Sequence, residues 1–218
     1  MKTKLKIDIV SDVVCPWCTI GYKRLEKAII DLGIEDQVDI EWQPFELNPN
    51  MPAEGQNVNE HITEKYGSTP EQQKASKQQM TQAGAELGFT FDYFDDMRMV
   101  NTFDAHVLLE YAKEFDKQTE LKMTLTKAFF SERKDVSKRD VLKQALIDVG
   151  LNAEEGLSKL DNEEARYEVR TKEGYWKNLG VNSVPTIVFD RKSAVTGAQP
   201  VDTFKLVLSE LTENNITN

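Results

Sequence analysis

Cysteine, histidine and long apolar runs are scarce in this sequence. It has two cysteines and two histidines in 218 residues, too few thiols for a framework of several disulfides. A structural zinc site needs about four ligands, and His61 and His106 both lie far along the chain from the cysteines. We therefore predict no metal site, unless two copies share one. No segment approaches the roughly 20 apolar residues of a membrane span.

An excess of basic residues is also missing. The chain has 27 Lys and Arg against 37 Asp and Glu, a net charge of −10. Nucleic acids and anionic membrane surfaces bind clustered cations, so neither is an expected partner. Three lysines occur within Met1–Lys6, but the apolar stretch that follows is too short for a secretory signal. We therefore expect a cytoplasmic location.

The two cysteines are present as Cys-Pro-Trp-Cys, residues 15–18. The motif lies between a predicted strand, Leu5–Val10, and a helix predicted from about Pro16 to Leu32. Cys15 falls at the expected N-cap, where free amide groups and the helix dipole favour an anion. Proline suits the first helical position that follows. We predict that Cys15 is the attacking thiolate and Cys18 the resolving thiol, with a mixed disulfide to substrate between the two steps.

Two other interpretations of the pair stay open. A structural disulfide would close a very short loop and would restrict the unfolded chain little. Two inert buried thiols are the other alternative, although chance seldom places them at this spacing on a strand-to-helix junction. In a reducing compartment such a pair is more often catalytic or redox-sensing than structural.

Strand patterns occur near both ends of the chain and helical patterns in the middle. Residues 37–45 begin with polar and apolar residues in alternation, which predicts a strand, and residues 57–179 are almost wholly helical in pattern. Thr186–Phe189 and Ala194–Thr196 predict a strand hairpin, and residues 201–212 a closing helix. Within the helical part, capping patterns at Thr69, Ser137 and Asn152 predict three helix starts, and the last helix is predicted from near Asn162 to Leu179.

This order of elements predicts an α/β protein with a thioredoxin fold. A large all-helical insertion would separate the βαβ half from the ββα half. We assign residues 1–52 and 163–218 to the thioredoxin-like domain and residues 53–162 to the inserted helical domain. The strands on both sides of the insertion must then share one sheet.

Val184-Pro185-Thr186 precedes the hairpin and is a second candidate element of the site. Proline is permitted at the first residue of a strand, which is the simplest interpretation. We predict that the Val184–Pro185 peptide bond is cis, which would hold a tight turn beside the cysteines. The backbone of Val184 would then pair with an extended substrate.

Trp17 and His106 are weaker candidates for contacts with substrate. Trp17 lies between the cysteines and either offers an apolar surface to substrate or packs over the loop. His106 either faces the cleft as a hydrogen-bonding group or packs within the apolar stripe of its helix.

The CPWC helix, the helical insertion, the VPT strand start and the segment Gly197–Pro200 (GAQP) together resemble the DsbA-like thioredoxin-fold oxidoreductases. The sequence is most similar to their cytoplasmic FrnE-like branch. The resemblance covers nearly the whole chain and implies that Cys15 and Cys18 are the redox pair and Pro185 the cis-proline. It also implies thiol–disulfide exchange with protein or small-molecule substrates, no bound cofactor, and glutathione as a candidate redox partner.

The segment Asn101–His106 also resembles this superfamily, including its glutathione-using isomerases and kappa-class transferases. Those relatives typically carry serine where this chain has Cys15, so the retained thiol favours disulfide chemistry. A glutathione-dependent isomerase or transferase and a chaperone-like client-binding protein remain the alternatives. The sequence also leaves open whether two copies pair as a homodimer through the insertion.

Overall fold

The computed structural model describes residues 4–214, which form a mixed sheet covered by helices. The strands are β1 (Leu5–Ser11), β2 (Val38–Pro44), β3 (Gln56–Asn57), β4 (Arg98–Met99), β5 (Thr186–Phe189) and β6 (Ser193–Thr196). The helices are α1 (Pro16–Leu32), α2 (Val58–Tyr66), α3 (Pro70–Glu86), α4 (Phe103–Lys113), α5 (Gln118–Phe130), α6 (Arg139–Asp148), α7 (Ala153–Leu160), α8 (Glu163–Asn178) and α9 (Val201–Asn214). None of the helices within this range is long and apolar enough to span a bilayer.

The main sheet has the strand order β2-β1-β5-β6. β1 and β2 run parallel, as the α1 crossover requires, whereas β5 pairs antiparallel with both β1 and β6. Strands from both ends of the chain therefore share one sheet, which confirms the predicted thioredoxin fold. The two-residue strands β3 and β4 form a separate ribbon. They correct the prediction of an almost wholly helical middle, because so short a strand carries no periodic pattern.

The central strand β1 is almost wholly buried, on both faces of the sheet. Ile7 and Ile9 are fully buried against α1 and α9, in a cluster that includes Leu25 and Phe204. On the opposite face Val10 packs in a smaller cluster with Phe45, Trp176 and Val188. The first strand is thus the centre of the thioredoxin-like part, and it leads directly into the cysteine motif.

The helices α2 to α7 form the insertion and have their own apolar core. Its fully buried residues include Leu108, Leu121, Leu125, Leu142 and Leu146. The same cluster also contains Val13, Val14 and Ile20, which flank the cysteines. The insertion therefore packs directly on the segment that carries the thiols. The exact domain boundaries stay a prediction.

Two of the three predicted helix starts are confirmed. Thr69 and Gln72 form a capping box at the start of α3, and the Asn152 side chain accepts the amide hydrogens of Glu154 and Glu155 at the start of α7. The last helix before β5, α8, also begins where predicted, with Asn162 as its N-cap. The start at Ser137 is wrong, because α6 has Lys138 as its N-cap. The Ser137 hydroxyl instead donates to Asp135 Oδ1 at 2.6 Å, in a turn ahead of the helix.

Gly84 in α3 provides a test of the packing in the insertion. A Cβ at this position would lie 2.5 Å from Phe91 Cδ2 and 2.7 Å from the Phe89 carbonyl oxygen. Overpacking costs about 1–3 kcal/mol, which exceeds the gain of at most about 1 kcal/mol in helix propensity. We expect Gly84→Ala to lower the free energy of unfolding by about 1–2 kcal/mol in urea titrations.

Gly174→Ala in α8 is the matched control, because a Cβ there would meet no atom within 4 Å. We expect this variant to raise the free energy of unfolding by about 0.5–1 kcal/mol. Equal effects of the two substitutions would contradict the packing described around Gly84.

Candidate active site

Cys15 is the N-cap of α1, as the sequence predicts. Its backbone is extended, with φ −96° and ψ 110°, and Pro16 occupies the first helical position. The Cys15 sulfur accepts a hydrogen bond from the backbone amide of Cys18 at 3.3 Å. A sulfur in this place meets the positive end of the helix dipole, an environment that favours a thiolate over a thiol.

Cys18 lies one turn further into the helix and is more enclosed. Both thiols are free, and Cys15 is 4% exposed whereas Cys18 is 1% exposed. Burial raises the pKa of the Cys18 thiol well above its ordinary value, and the hydrogen bond and charge of Cys15 raise it further. Cys18 therefore stays protonated at neutral pH, as a thiol that reacts second should.

The segment before β5 lies beside the first thiol. The Val184–Pro185 peptide bond is cis, and the Val184 carbonyl oxygen is 4.0 Å from the Cys15 sulfur. Pro185 is buried against α1, where a Cβ on Gly21 would come within 3.1 Å of its ring. The absent side chain of Gly21 thus lets the proline approach the redox helix closely.

The segment Gly197–Pro200 supports this arrangement on the same side of α1, where a Cβ on Gly21 would also lie 3.4 Å from the Ala198 Cα. The Gly197 amide donates to the Pro185 carbonyl at 2.8 Å, and the Arg24 guanidinium donates to the Ala198 carbonyl at 2.6 Å. Two motifs that are distant from the cysteines in sequence are therefore packed against the helix that carries them.

Three aromatic residues lie near the thiols, and the sequence analysis missed two of them. Trp17 is half-buried and packs against the core of the insertion. Burial and the charge of Cys15 raise the pKa of both Tyr66, at the end of α2, and Tyr93, in the loop after α3. Neither tyrosine belongs to a motif, so only the folded chain shows that they lie near the thiols.

A buried polar group lies beneath the cysteines. His106 is 2% exposed, and its Nε2 is 3.4 Å from Oδ1 of the buried Asp12. The other carboxylate oxygen of Asp12 accepts the Leu47 amide at 2.7 Å. Burial opposes ionisation of Asp12, but the neighbouring His106 ring outweighs it and lowers the pKa of the carboxyl. The structure does not bring His106 to the surface beside Cys15, where a direct contact with substrate would occur.

Lys122 of α5 completes this group and was also missed. It is 2% exposed, within the apolar side of α5. Burial lowers the pKa of its ammonium group to about 8, although the charges of Cys18, Asp12 and Cys15 oppose that change. A signal was present in the sequence, because Lys122 is at helical spacing from Leu125 and Phe129, where a charged residue is unexpected.

The predicted site residues thus fall into two sets. Cys15, Cys18, Val184 and Pro185 lie together at the start of α1, with Trp17 adjacent. His106 lies in the buried polar group below them. Among residues 4–214, no cluster of three or more His, Cys, Asp or Glu side chains is arranged to hold a metal ion.

Comparisons with known proteins agree with this architecture. A probable DsbA oxidoreductase from Streptomyces coelicolor superposes with a TM-score of 0.88 at 32% identity, over 94% of this chain and 89% of that one. YwbO, an uncharacterized protein of Bacillus subtilis, is 27% identical over 206 residues, 94% of this chain and 96% of YwbO. The cytosolic disulfide reductase DsbM from Pseudomonas aeruginosa, solved with GSH, shares the fold at 17% identity and a TM-score of 0.68, over 95% and 99% of the two chains.

The family match extends over the sheet, the redox helix and the insertion alike. The DSBA-like thioredoxin domain family matches residues 6–209. This range includes both cysteines and the segment before β5, whose Val184 carbonyl lies beside Cys15. The chain therefore belongs to the DSBA-like thioredoxin domain family.

Proposed function

We propose that this protein is a thiol–disulfide oxidoreductase that works through Cys15 and Cys18. The observation that carries the proposal is the position of the Cys15 sulfur. It accepts the Cys18 amide at 3.3 Å and lies 4.0 Å from the Val184 carbonyl oxygen. The nucleophilic sulfur thus lies beside a backbone carbonyl that can pair with an extended substrate.

The reaction has two exchange steps. The Cys15 thiolate attacks a substrate disulfide, the substrate S–S bond breaks, and one substrate thiolate leaves. Cys18 then loses its proton and attacks the Cys15 sulfur, which forms the intramolecular disulfide and releases the second substrate sulfur. Two electrons pass to the substrate, and the reverse sequence oxidises a substrate dithiol. The direction in the cell depends on the reduction potential, for which about 30 mV is a tenfold change in equilibrium.

Val184 and Trp17 are the proposed contacts for substrate. The Val184 carbonyl is beside the attacking sulfur, so strand-like pairing would align a substrate cysteine with Cys15. The exposed part of the Trp17 ring adds an apolar contact. His106 has almost no exposed surface, so we assign it no contact with substrate in the conformation described.

Substrates are proposed to be protein or small-molecule thiols and disulfides, with no bound cofactor. The DsbM structure contains GSH, which supports glutathione as a redox partner to test here. A glutathione-dependent isomerase or transferase is disfavoured by the Cys15 thiol, and a chaperone-like activity would be independent of both thiols. The FrnE-like branch, the cytoplasmic location and the pairing of two copies stay predictions.

The two thiols should differ in reactivity. Cys18 is more deeply buried, and its raised pKa keeps it protonated near neutral pH. We expect limiting iodoacetamide to modify Cys15 before Cys18, because the thiolate is the reactive form. Peptide mass spectrometry over a time course measures the order. Faster modification of Cys18 would reverse the assigned roles.

Single cysteine variants should separate the two exchange steps. We expect Cys15→Ser to reduce insulin disulfides no faster than the uncatalysed reaction, because no nucleophile remains at the N-cap. Cys18→Ser should instead accumulate a mixed disulfide at Cys15, since the resolving thiol is absent. Intact-protein mass spectrometry detects the adduct, and the wild-type protein is the control. Full turnover by Cys15→Ser would rule out the proposed function.

A further inference from the structure

We propose that Tyr66, the last residue of α2, selects substrates by packing its ring against an aromatic or aliphatic residue two positions from the reacting substrate cysteine. This inference rests on the proposed function and goes further by naming the substrate class, which is polypeptide disulfides with such a residue near the cysteine. Three features of the structure support it: the fixed position of α2, the face of α2 that carries Tyr66, and the exposure of the Tyr66 ring.

The end of α2 is tied to the loop that leads into the cysteine motif. The Lys65 ammonium group donates to the Leu47 carbonyl at 2.8 Å and to Asn48 Oδ1 at 2.7 Å. The Leu47 amide donates in turn to Asp12 Oδ2 at 2.7 Å, and Asp12 is three residues before Cys15. Hydrogen bonds therefore connect the last turn of α2 to the segment that carries the attacking thiol.

Two further features fix the orientation of α2. Nδ1 of His61 is 2.7 Å from Gln56 Oε1, and its Nε2 is 2.9 Å from Asn48 Oδ1. Gly67 then ends the helix in the left-handed conformation, with φ +67°. The backbone of Tyr66 is thus held in place before substrate binds. Only its ring has to be ordered on binding, which lowers the entropic cost of the contact.

Tyr66 is on the face of α2 that packs on the core flanking the cysteines. Ile62, one helical turn earlier, packs against this core, and residues four apart lie on one face of a helix. The core also contains the two valines that precede Cys15, and Trp17 packs against it. Tyr66 thus continues the Ile62 face outward to the surface near the thiols. In agreement with this position, burial and the charge of Cys15 raise the pKa of Tyr66.

The two tyrosines near the thiols differ in their freedom to contact substrate. The Tyr93 ring stacks on Phe91 with the ring centres 6.0 Å apart, and its hydroxyl donates to the Met80 sulfur at 3.5 Å. These contacts hold Tyr93 within the insertion. Tyr66 is instead 64% exposed. It therefore offers an aromatic surface to a substrate bound at Cys15.

The geometry of an extended substrate determines which of its residues would meet this ring. Successive side chains of an extended chain point to opposite sides, and every second one shares a side. When a substrate pairs with Val184, the residue two positions from its cysteine points to the same side as that cysteine, toward the surroundings of Cys15. An aromatic or aliphatic side chain there can pack on the Tyr66 ring.

The test compares two peptide disulfides in single turnovers with the reduced protein. One peptide is Phe-Gly-Cys-Gly-Phe, the other has glycine in place of both phenylalanines, and each is supplied as its disulfide-linked dimer. The rate is measured against peptide concentration after acid quenching, and the limiting rate is corrected for the reactivity of each disulfide toward dithiothreitol. We expect the wild-type half-saturating concentration to be about 5- to 20-fold lower for the phenylalanine peptide. The corrected limiting rates should be equal, because the chemistry at the sulfurs is the same.

Tyr66 variants should remove or keep this preference according to the ring. We expect Tyr66→Ala to bind the two peptides equally, with its half-saturating concentration for the glycine peptide equal to that of the wild type. Tyr66→Phe should keep the preference, because the contact needs the ring and not the hydroxyl. A merely structural role for Tyr66 would instead change both peptides alike.

Tyr167→Ala is the matched control, because it makes the same substitution at a ring that is 74% exposed on α8. We expect it to keep the wild-type preference. Equal half-saturating concentrations for the two peptides in the wild type would overturn the inference, as would a preference that survives in Tyr66→Ala or is lost in Tyr167→Ala. Failure of the wild type to reduce either peptide would overturn the proposed function instead.

Discussion

The contact between the Cys15 sulfur and the first amides of α1 is the constraint around which the site is built. The N-cap position fixes the sulfur 3.3 Å from the Cys18 amide, where the helix dipole favours negative charge. The same geometry places Cys18 one turn inward, where burial favours the neutral thiol. One helix start therefore gives two identical side chains different surroundings, since Cys15 faces a free amide group and Cys18 is enclosed by the protein.

The insertion is part of the site rather than an attachment to it. Its apolar core includes Val13, Val14 and Ile20 beside the cysteines, so the loop that carries the thiols is packed from both sides. The thioredoxin-like part supplies Val184 and Pro185 at one side of Cys15. The insertion supplies His106 and Lys122 to the buried polar group. It also supplies Tyr66 and Tyr93, whose pKa values are raised by burial and by the charge of Cys15.

The buried polar group shows a conflict between stability and chemistry. Asp12, His106 and Lys122 are each at most 2% exposed, and each retains an atom without a hydrogen-bond partner among the described residues. Desolvating such groups opposes folding. The apolar surface buried in the two large clusters offsets this cost.

The sequence by itself determined the position of the two cysteines, the N-cap at Cys15, the order of the elements and the fold class, because these depend on local spacing and periodicity. It missed Lys122 and Asp12, and it left His106 between two interpretations. The protonation of a buried group depends on which residues from distant helices desolvate and surround it. The spacing of Lys122 from Leu125 and Phe129 indicated a buried lysine, but only the docking of α4 and α5 against the sheet decided which residues surround it, since contacts between segments far apart in sequence leave no local pattern in a single chain.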